Sequence, residues 1–164
     1  KLDYIPKKVK FDLILLDAFS PSKCPMLWSE EFLAKLTNKL NPGGRLITYS
    51  SAAAIRGSLR RSGLYLGSQI PLNEMRNKWS SGTIAISPNN KFNKDVKEKD
   101  WKALSKMEEE HLLTRAAVPY RDPSGRSSVD EILRRRKIEQ QLCELEITSH
   151  WKKRWVKTQE GSSR

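Results

Sequence analysis

The clearest hydrophobic signal in the chain is Phe11-Asp12-Leu13-Ile14-Leu15-Leu16, an apolar run broken only by Asp12. Its length and lack of alternation predict a strand buried on both faces and paired on both sides. A helical pattern follows. Ser29 reads as an N-cap, Glu30 and Glu31 complement the first-turn dipole, and Phe32, Leu33, Leu36 and Leu40 recur at helical spacing. Asn41-Pro42-Gly43-Gly44 predicts a helix stop and a turn. Residues 46–50 then read as a second buried strand, and 52–62 as a helix with Gly63 as a left-handed cap. Residues 65–70 and 82–87 read as two more strands joined by a polar, basic loop. The order strand–helix–strand–helix–strand–strand predicts an α/β fold, the second half of a doubly wound sheet.

Beyond residue 88 the pattern changes. Residues 88–94 read as a polar linker, 101–113 as a short helix, and Ser128-Val129-Asp130-Glu131 as a capping box. Val129, Ile132, Leu133, Ile138, Leu142 and Leu145 can share one apolar face. The chain therefore divides into a partial Rossmann-like domain at 1–88 and a linker with a helical C-terminal extension at 89–164. Arg134-Arg135-Arg136-Lys137 spans a full helical turn, so its four cations cannot all face one way. Trp151-Lys152-Lys153-Arg154-Trp155 admits two readings. Rings interleaved with cations suit RNA, where bases stack and phosphates pair; two tryptophans at i and i+4 equally suit packing of the tail onto the body. Residues 161–164 read as a frayed end.

Charge sharpens this picture. The 164 residues carry a net charge of +12, with 13 Lys/Arg against 6 Asp/Glu in residues 1–90 and 18 against 13 in the remainder. Basic charge spread over both parts points to a polyanionic partner such as nucleic acid. No apolar run approaches a membrane span. Cys24 and Cys143 are too few for a disulfide framework and fit a reducing, cytoplasmic compartment. His111 and His150 show no metal-ligand spacing, and Cys24 has no nearby histidine to activate it, so it reads as a packing residue.

The candidate chemistry sits directly after the first strand. Asp17 stands at the carboxyl end of that strand, where open α/β sheets place their ligands. Pro21 and Pro25 stiffen the following loop, Lys23 lies within it, and Trp28 closes it. Such a loop is either a ligand site or an ordinary capped connection.

The spaced pattern Asp17-x-Phe19-x-Pro21-x-Lys23-x-Pro25-x-x-Trp28, then Pro42-Gly43-Gly44, then Thr48-Tyr49-Ser50-Ser51-Ala52, resembles the MnmC/MnmD-like bacterial tRNA wobble-uridine methyltransferases. The tail segment 111–123 resembles the extension of cyanobacterial members. The resemblance covers roughly residues 11–155. It implies methyl transfer from S-adenosylmethionine to the aminomethyl group of a modified uridine, with tRNA as partner. It implies Asp17 as the residue that orients the amine and manages its proton. Ala18, Phe19, Pro21, Pro25, Trp28 and Ser50 would shape the substrate and cofactor pocket. Lys23, Arg76 and Lys78 would meet the RNA backbone, joined by Arg134, Arg135, Arg136, Lys152, Lys153 and Arg154. The family's glycine-rich cofactor loop has no counterpart here: no G-x-G-x-x-G follows a strand, and ten residues precede the first strand. The chain then reads as the C-terminal part of a longer enzyme, its first strand being the fourth of seven. That strand's edge at 11–17 would await a missing N-terminal half or a pairing chain. The chain alone would bind the cofactor weakly and be inactive. The alternative is a non-catalytic remnant that binds RNA or a partner.

Overall fold

The computed structural model describes residues 4–70, 82–89 and 101–161. Five strands form one mixed sheet: β1 (Phe11–Leu16), β2 (Leu40–Thr48), β3 (Tyr65–Gln69), β4 (Thr83–Ile86) and β5 (Trp101–Ala103). Their spatial order is β1-β2-β4-β3-β5. Only β1 and β2 run parallel; the other three pairings are antiparallel. The helices are α1 (Glu30–Thr37), α2 (Ala53–Arg61), α3 (Lys106–His111), α4 (Val129–Leu142) and α5 (Thr148–Gly161).

The predicted elements of the first half are present, with one relocation. Ser29 caps α1 by accepting from the Phe32 amide, and α2 ends at Ser62 before Gly63 at φ 84°. The Pro-Gly-Gly segment is not a free turn but lies within β2. Phe11 faces Leu40 while Leu13 faces Arg45, so the ladder skips four residues of β2 as an irregular bulge. Gly43 sits there at φ 81°, a conformation open to glycine. The basic loop between β3 and β4, with Arg76 and Lys78, lies outside the described residues, as do residues 90–100 and 162–164.

The predicted helix at 101–113 divides in two. Trp101–Ala103 pairs with the otherwise free edge of β3, and Ser105 restarts the chain as a helix through a capping box with Glu108. Gly67 of β3 makes room for this: a Cβ there would come within 2.3 Å of the Trp101 ring. The capping box predicted at 128–131 is formed and opens α4.

One face of the sheet carries the main core. Leu16, Leu46 and Ala85 pack with Leu33, Leu36, Ile55 and Leu59 of α1 and α2, and Ile132 of α4 and Tyr120 join them. Burying each large aliphatic contributes roughly 1.5–3 kcal/mol. The tail is tied on by polar contacts as well. Arg121 donates to Glu139 at 2.8 and 2.9 Å and to Glu30 at 2.7 Å, and the Asp122 amide donates to Glu31 at 2.8 Å. The apolar face predicted for 129–145 is only partly used. Ile132 is buried, while Ile138, Leu142 and Leu145 are exposed.

The opposite face is thinly covered. Ile84, Ile86 and Trp101 form a small cluster with Ile47 and Tyr65. Leu15 pairs with Ile47 in the β1–β2 ladder and, with Leu13, lies on this side by strand alternation. Leu13 is 51% exposed and Leu15 70%. Among the described residues β1 has one neighbour, β2, and is an edge of the sheet. The continuous apolar run therefore does not report a strand buried on both faces and paired on both sides within this chain.

Candidate active site

The site grows from the carboxyl ends of β1 and β2. Leu16 is anchored in the core, and the next residue, Asp17, is exposed. The loop that follows is folded tightly on itself. The Ser20 carbonyl accepts from the Lys23 and Cys24 amides at 2.9 and 3.0 Å. Pro25–Trp28 then forms a 3-10 turn, where proline's fixed φ suits the first position. Trp28 is fully buried, and its Nε1–H donates to the Phe19 carbonyl at 2.6 Å. Tyr49, one residue past β2, donates its hydroxyl to the Ala18 carbonyl at 2.9 Å. The two rings meet edge to face, 5.9 Å apart at 87°. Trp28 thus packs inside the fold and braces the loop from below.

Ser50 is buried beside them. Its carbonyl accepts from the Thr83 hydroxyl at 2.6 Å, and its hydroxyl accepts from the Ala52 amide at 3.4 Å. Thr83 is the outer end of a buried network. Arg56 of α2, 3% exposed, donates to Thr83 Oγ1 at 2.9 Å, to Ser68 at 3.1 Å, to the Gly82 carbonyl at 3.1 Å and to Glu108 of α3 at 2.9 Å. Burial pushes the Glu108 carboxyl up. Hydrogen bonds from Ser68, the Ser105 backbone, Arg56 and the Ser105 hydroxyl outweigh that and hold it at about 2. A single buried guanidinium therefore joins α2, β3, β4, α3 and the strand-end residue Ser50.

Asp17, Ala18, Phe19, Trp28 and Ser50 are thus gathered at one end of the sheet, with Pro21 half-buried and Lys23 exposed on the same loop. Cys24 donates to the Met26 sulfur at 3.3 Å, a packing arrangement. The basic residues of the tail separate. Arg134, Lys152 and Lys153 are exposed. Arg135 donates to Ser127 at 2.7 Å. Arg136 donates to the Val118 and Ala116 carbonyls at 2.8 and 3.0 Å and lies 4.5 Å over the Tyr120 ring. Arg154 pairs with Glu110 and Glu146 at 2.6 and 2.7 Å. The guanidinium groups of Arg136 and Arg154 are thus engaged with the protein itself. Trp151 is buried and stacks on His111 at 4.3 Å, and Trp155 donates to Glu110, so both tryptophans pack the tail onto α3. The burial of His111 also lowers its pKa, with Arg56 adding to the effect.

A groove of about 580 Å³ lies elsewhere, between the 3-10 turn, α1 and the 122–126 loop, lined by Met26, Phe32, Lys35 and Arg126 among others. Asp17, Phe19 and Ser50 do not line it. Sequence patterning missed two devices. Tyr49 carries no local signal for its role, because its partner is a backbone carbonyl 31 residues away. Arg56 is one of three arginines in α2 and carries no distinguishing signal, since its acid lies 52 positions on.

Residues 2–81, which hold the first part of this sheet and its strand-end loop, match the family described as S-adenosyl-L-methionine-dependent methyltransferase. Within that class, the chain is similar to MnmC proteins. It is 33% identical over 92 residues to the tRNA 5-methylaminomethyl-2-thiouridine biosynthesis bifunctional protein MnmC of Leptospira borgpetersenii, covering 56% of this chain and 14% of that one. It is 29% identical over 142 residues to an uncharacterized protein of Methanocaldococcus jannaschii, covering 83% and 36%. The crystal structure of MNMC2 from Aquifex aeolicus superposes with a TM-score of 0.70 at 26% identity, covering 87% of this chain and 42% of that one. The chain thus spans less than half the length of each of these relatives.

Proposed function

We propose that this chain supplies the methyl-accepting side of an S-adenosylmethionine-dependent tRNA methyltransferase that acts on the aminomethyl group of a modified wobble uridine. The observation that carries this reading is Asp17. It is a solvent-facing carboxylate at the carboxyl end of β1, rooted in the core through Leu16 and followed by a loop braced at two consecutive carbonyls. An exposed carboxylate beside a closed, internally bonded backbone fits the neighbourhood of a cationic sulfonium and a primary amine.

When bound, S-adenosylmethionine supplies a methyl group already activated for transfer. The protein's part is positioning and proton handling. An amine attacks only when neutral, so the lone pair must be free and aimed. The Asp17 carboxylate accepts an N–H from the amine, which orients the lone pair, and takes or relays the proton that nitrogen loses as it gains the methyl group. Ala18, Pro21, Pro25 and Ser50 fix the shape around it. Lys23, with Arg134, Arg135, Lys152 and Lys153, meets phosphates. Arg76 and Lys78 are proposed for the same role.

A second reading, a binding module without catalysis, draws on the exposed β1 edge with its apolar Leu13 and Leu15. Methyl transfer separates the two. The chain fused to the N-terminal half of the Aquifex relative is assayed in single turnover with labelled cofactor and tRNA bearing the aminomethyl uridine. Asp17→Asn is expected to lower turnover by roughly 10²–10⁴-fold with little change in cofactor affinity. Near-normal turnover in that variant removes Asp17 from the chemistry. No transfer by the wild-type fusion favours the binding module.

A further inference from the structure

One of the residues expected to shape the pocket, Phe19, is presented in a way that shaping a pocket does not by itself explain. Phe19 is 79% exposed, in a segment whose backbone is otherwise fixed. The Ala18 carbonyl belongs to the peptide plane preceding Phe19, and Tyr49 Oη–H holds it at 2.9 Å. The Phe19 carbonyl belongs to the plane that follows, and Trp28 Nε1–H holds it at 2.6 Å. Peptide planes are rigid, so two anchored planes leave the intervening residue little freedom in φ or ψ. The anchors are themselves packed edge to face, and Trp28 is fully buried. The Ser20 carbonyl closes the loop just beyond. A frayed loop with a stray aromatic would show none of this.

We propose that Phe19 is a stacking platform for a planar nucleobase of the RNA substrate, with Tyr49 and Trp28 as the positioning residues that hold it out. This rests on the RNA-methyltransferase reading above. The chemistry is specific to a π-face: the ring has no polar atom, so it offers a base area without hydrogen-bond readout. Its neighbour two positions back, Asp17, is exposed at the same strand end. A base stacked on Phe19 would therefore bring its substituent to the carboxylate's side of the loop. Pre-anchoring matters because a ring already immobilised loses little freedom when a base lands on it.

The test uses the full chain and a uridine-containing anticodon stem-loop RNA, with binding followed by fluorescence anisotropy across a salt series. Phe19→Leu keeps an apolar side chain and removes the π-face. It is expected to weaken binding on the order of tenfold while leaving the salt slope unchanged, because stacking releases no counterions. Phe19→Trp is expected to restore wild-type affinity or better. Tyr49→Phe loses a single hydroxyl. It is expected to speed exchange of the Lys23 and Cys24 amides and to weaken binding by less than Phe19→Leu does. Wild-type affinity in Phe19→Leu overturns the platform and leaves the RNA reading standing. Unchanged amide exchange in Tyr49→Phe overturns the clamp. Absence of any stem-loop binding by the wild-type chain overturns the platform and the RNA reading together. Thermal melts of each variant confirm that the fold is intact.

Discussion

Replacing Glu108 by Gln changes one atom type and removes one charge from the network that anchors the strand ends. Arg56 is then left 3% exposed without its anion. The Gln oxygen can still accept from Arg56 and Ser68, but the new NH2 faces the Ser105 N–H and hydroxyl, which the carboxylate had accepted at 2.9 and 2.8 Å. Two donors then oppose each other at the cap of α3. A carboxyl held near 2 in the fold against 4.5 when unfolded corresponds to about 3 kcal/mol. Breaking a buried pair by removing one partner costs about 3–5 kcal/mol, in agreement. The sign in pH follows from the lowered value. Between about pH 4.5 and about pH 2 the unfolded chain binds the proton that the fold refuses, so this contribution is complete above 4.5 and declines as pH falls toward 2. Urea unfolding followed by tryptophan fluorescence measures both arms. The wild type should exceed Glu108→Gln by about 3 kcal/mol near neutrality and by about 1 kcal/mol near pH 3. A difference under about 1 kcal/mol at neutrality, or one that does not change with pH, refutes the reasoning.

The tail cations should sort into two kinds. Arg134→Gln, Lys152→Gln and Lys153→Gln should each flatten the salt dependence of tRNA binding by about one unit of slope, measured by filter binding. Arg136→Gln should instead lower stability by about 1–3 kcal/mol, because two backbone carbonyls and the Tyr120 ring lose their partner; a slope change of the same size would reverse that assignment. The β1 edge should drive self-association of the chain, seen as concentration-dependent sedimentation. Leu13→Lys with Leu15→Lys should suppress it, and a monodisperse wild type at high concentration would count against a sticky edge.

Much of this was legible in the sequence because it is local. Ser29 and Ser128 sit before helices whose caps are formed within three residues, and β1 carries a nearly continuous apolar run. Asp17 could be placed because a strand end is a local event. What failed was non-local. Trp101–Ala103 has helix-compatible residues, but it pairs with the edge of β3, from Gly67↔Ala103 to Gln69↔Trp101, and pairing overrode propensity. Leu13 and Leu15 signal burial in a run that this chain exposes, since composition records what a strand wants and not what covers it. Arg136 and Arg154 read as part of basic runs, and each also has protein acceptors that no spacing announces: backbone carbonyls for Arg136, and Glu110 and Glu146 at the surface for Arg154. Tyr49 and Arg56 were silent because their partners are set only by the assembled sheet.

The way the tail closes the core bears on how the chain comes into being. Glu30 and Glu31 bond Arg121 and the Asp122 amide across 91 positions, and Ile132 fills the same cluster as Leu33. Those contacts are long in loop closure, so they cannot help until the segment through residue 132 has left the ribosome. During that interval α1 and β2 wait with their apolar surfaces unshielded. A message truncated before residue 132 would yield a sheet with an open core, and such a species would be a target for chaperones and proteases.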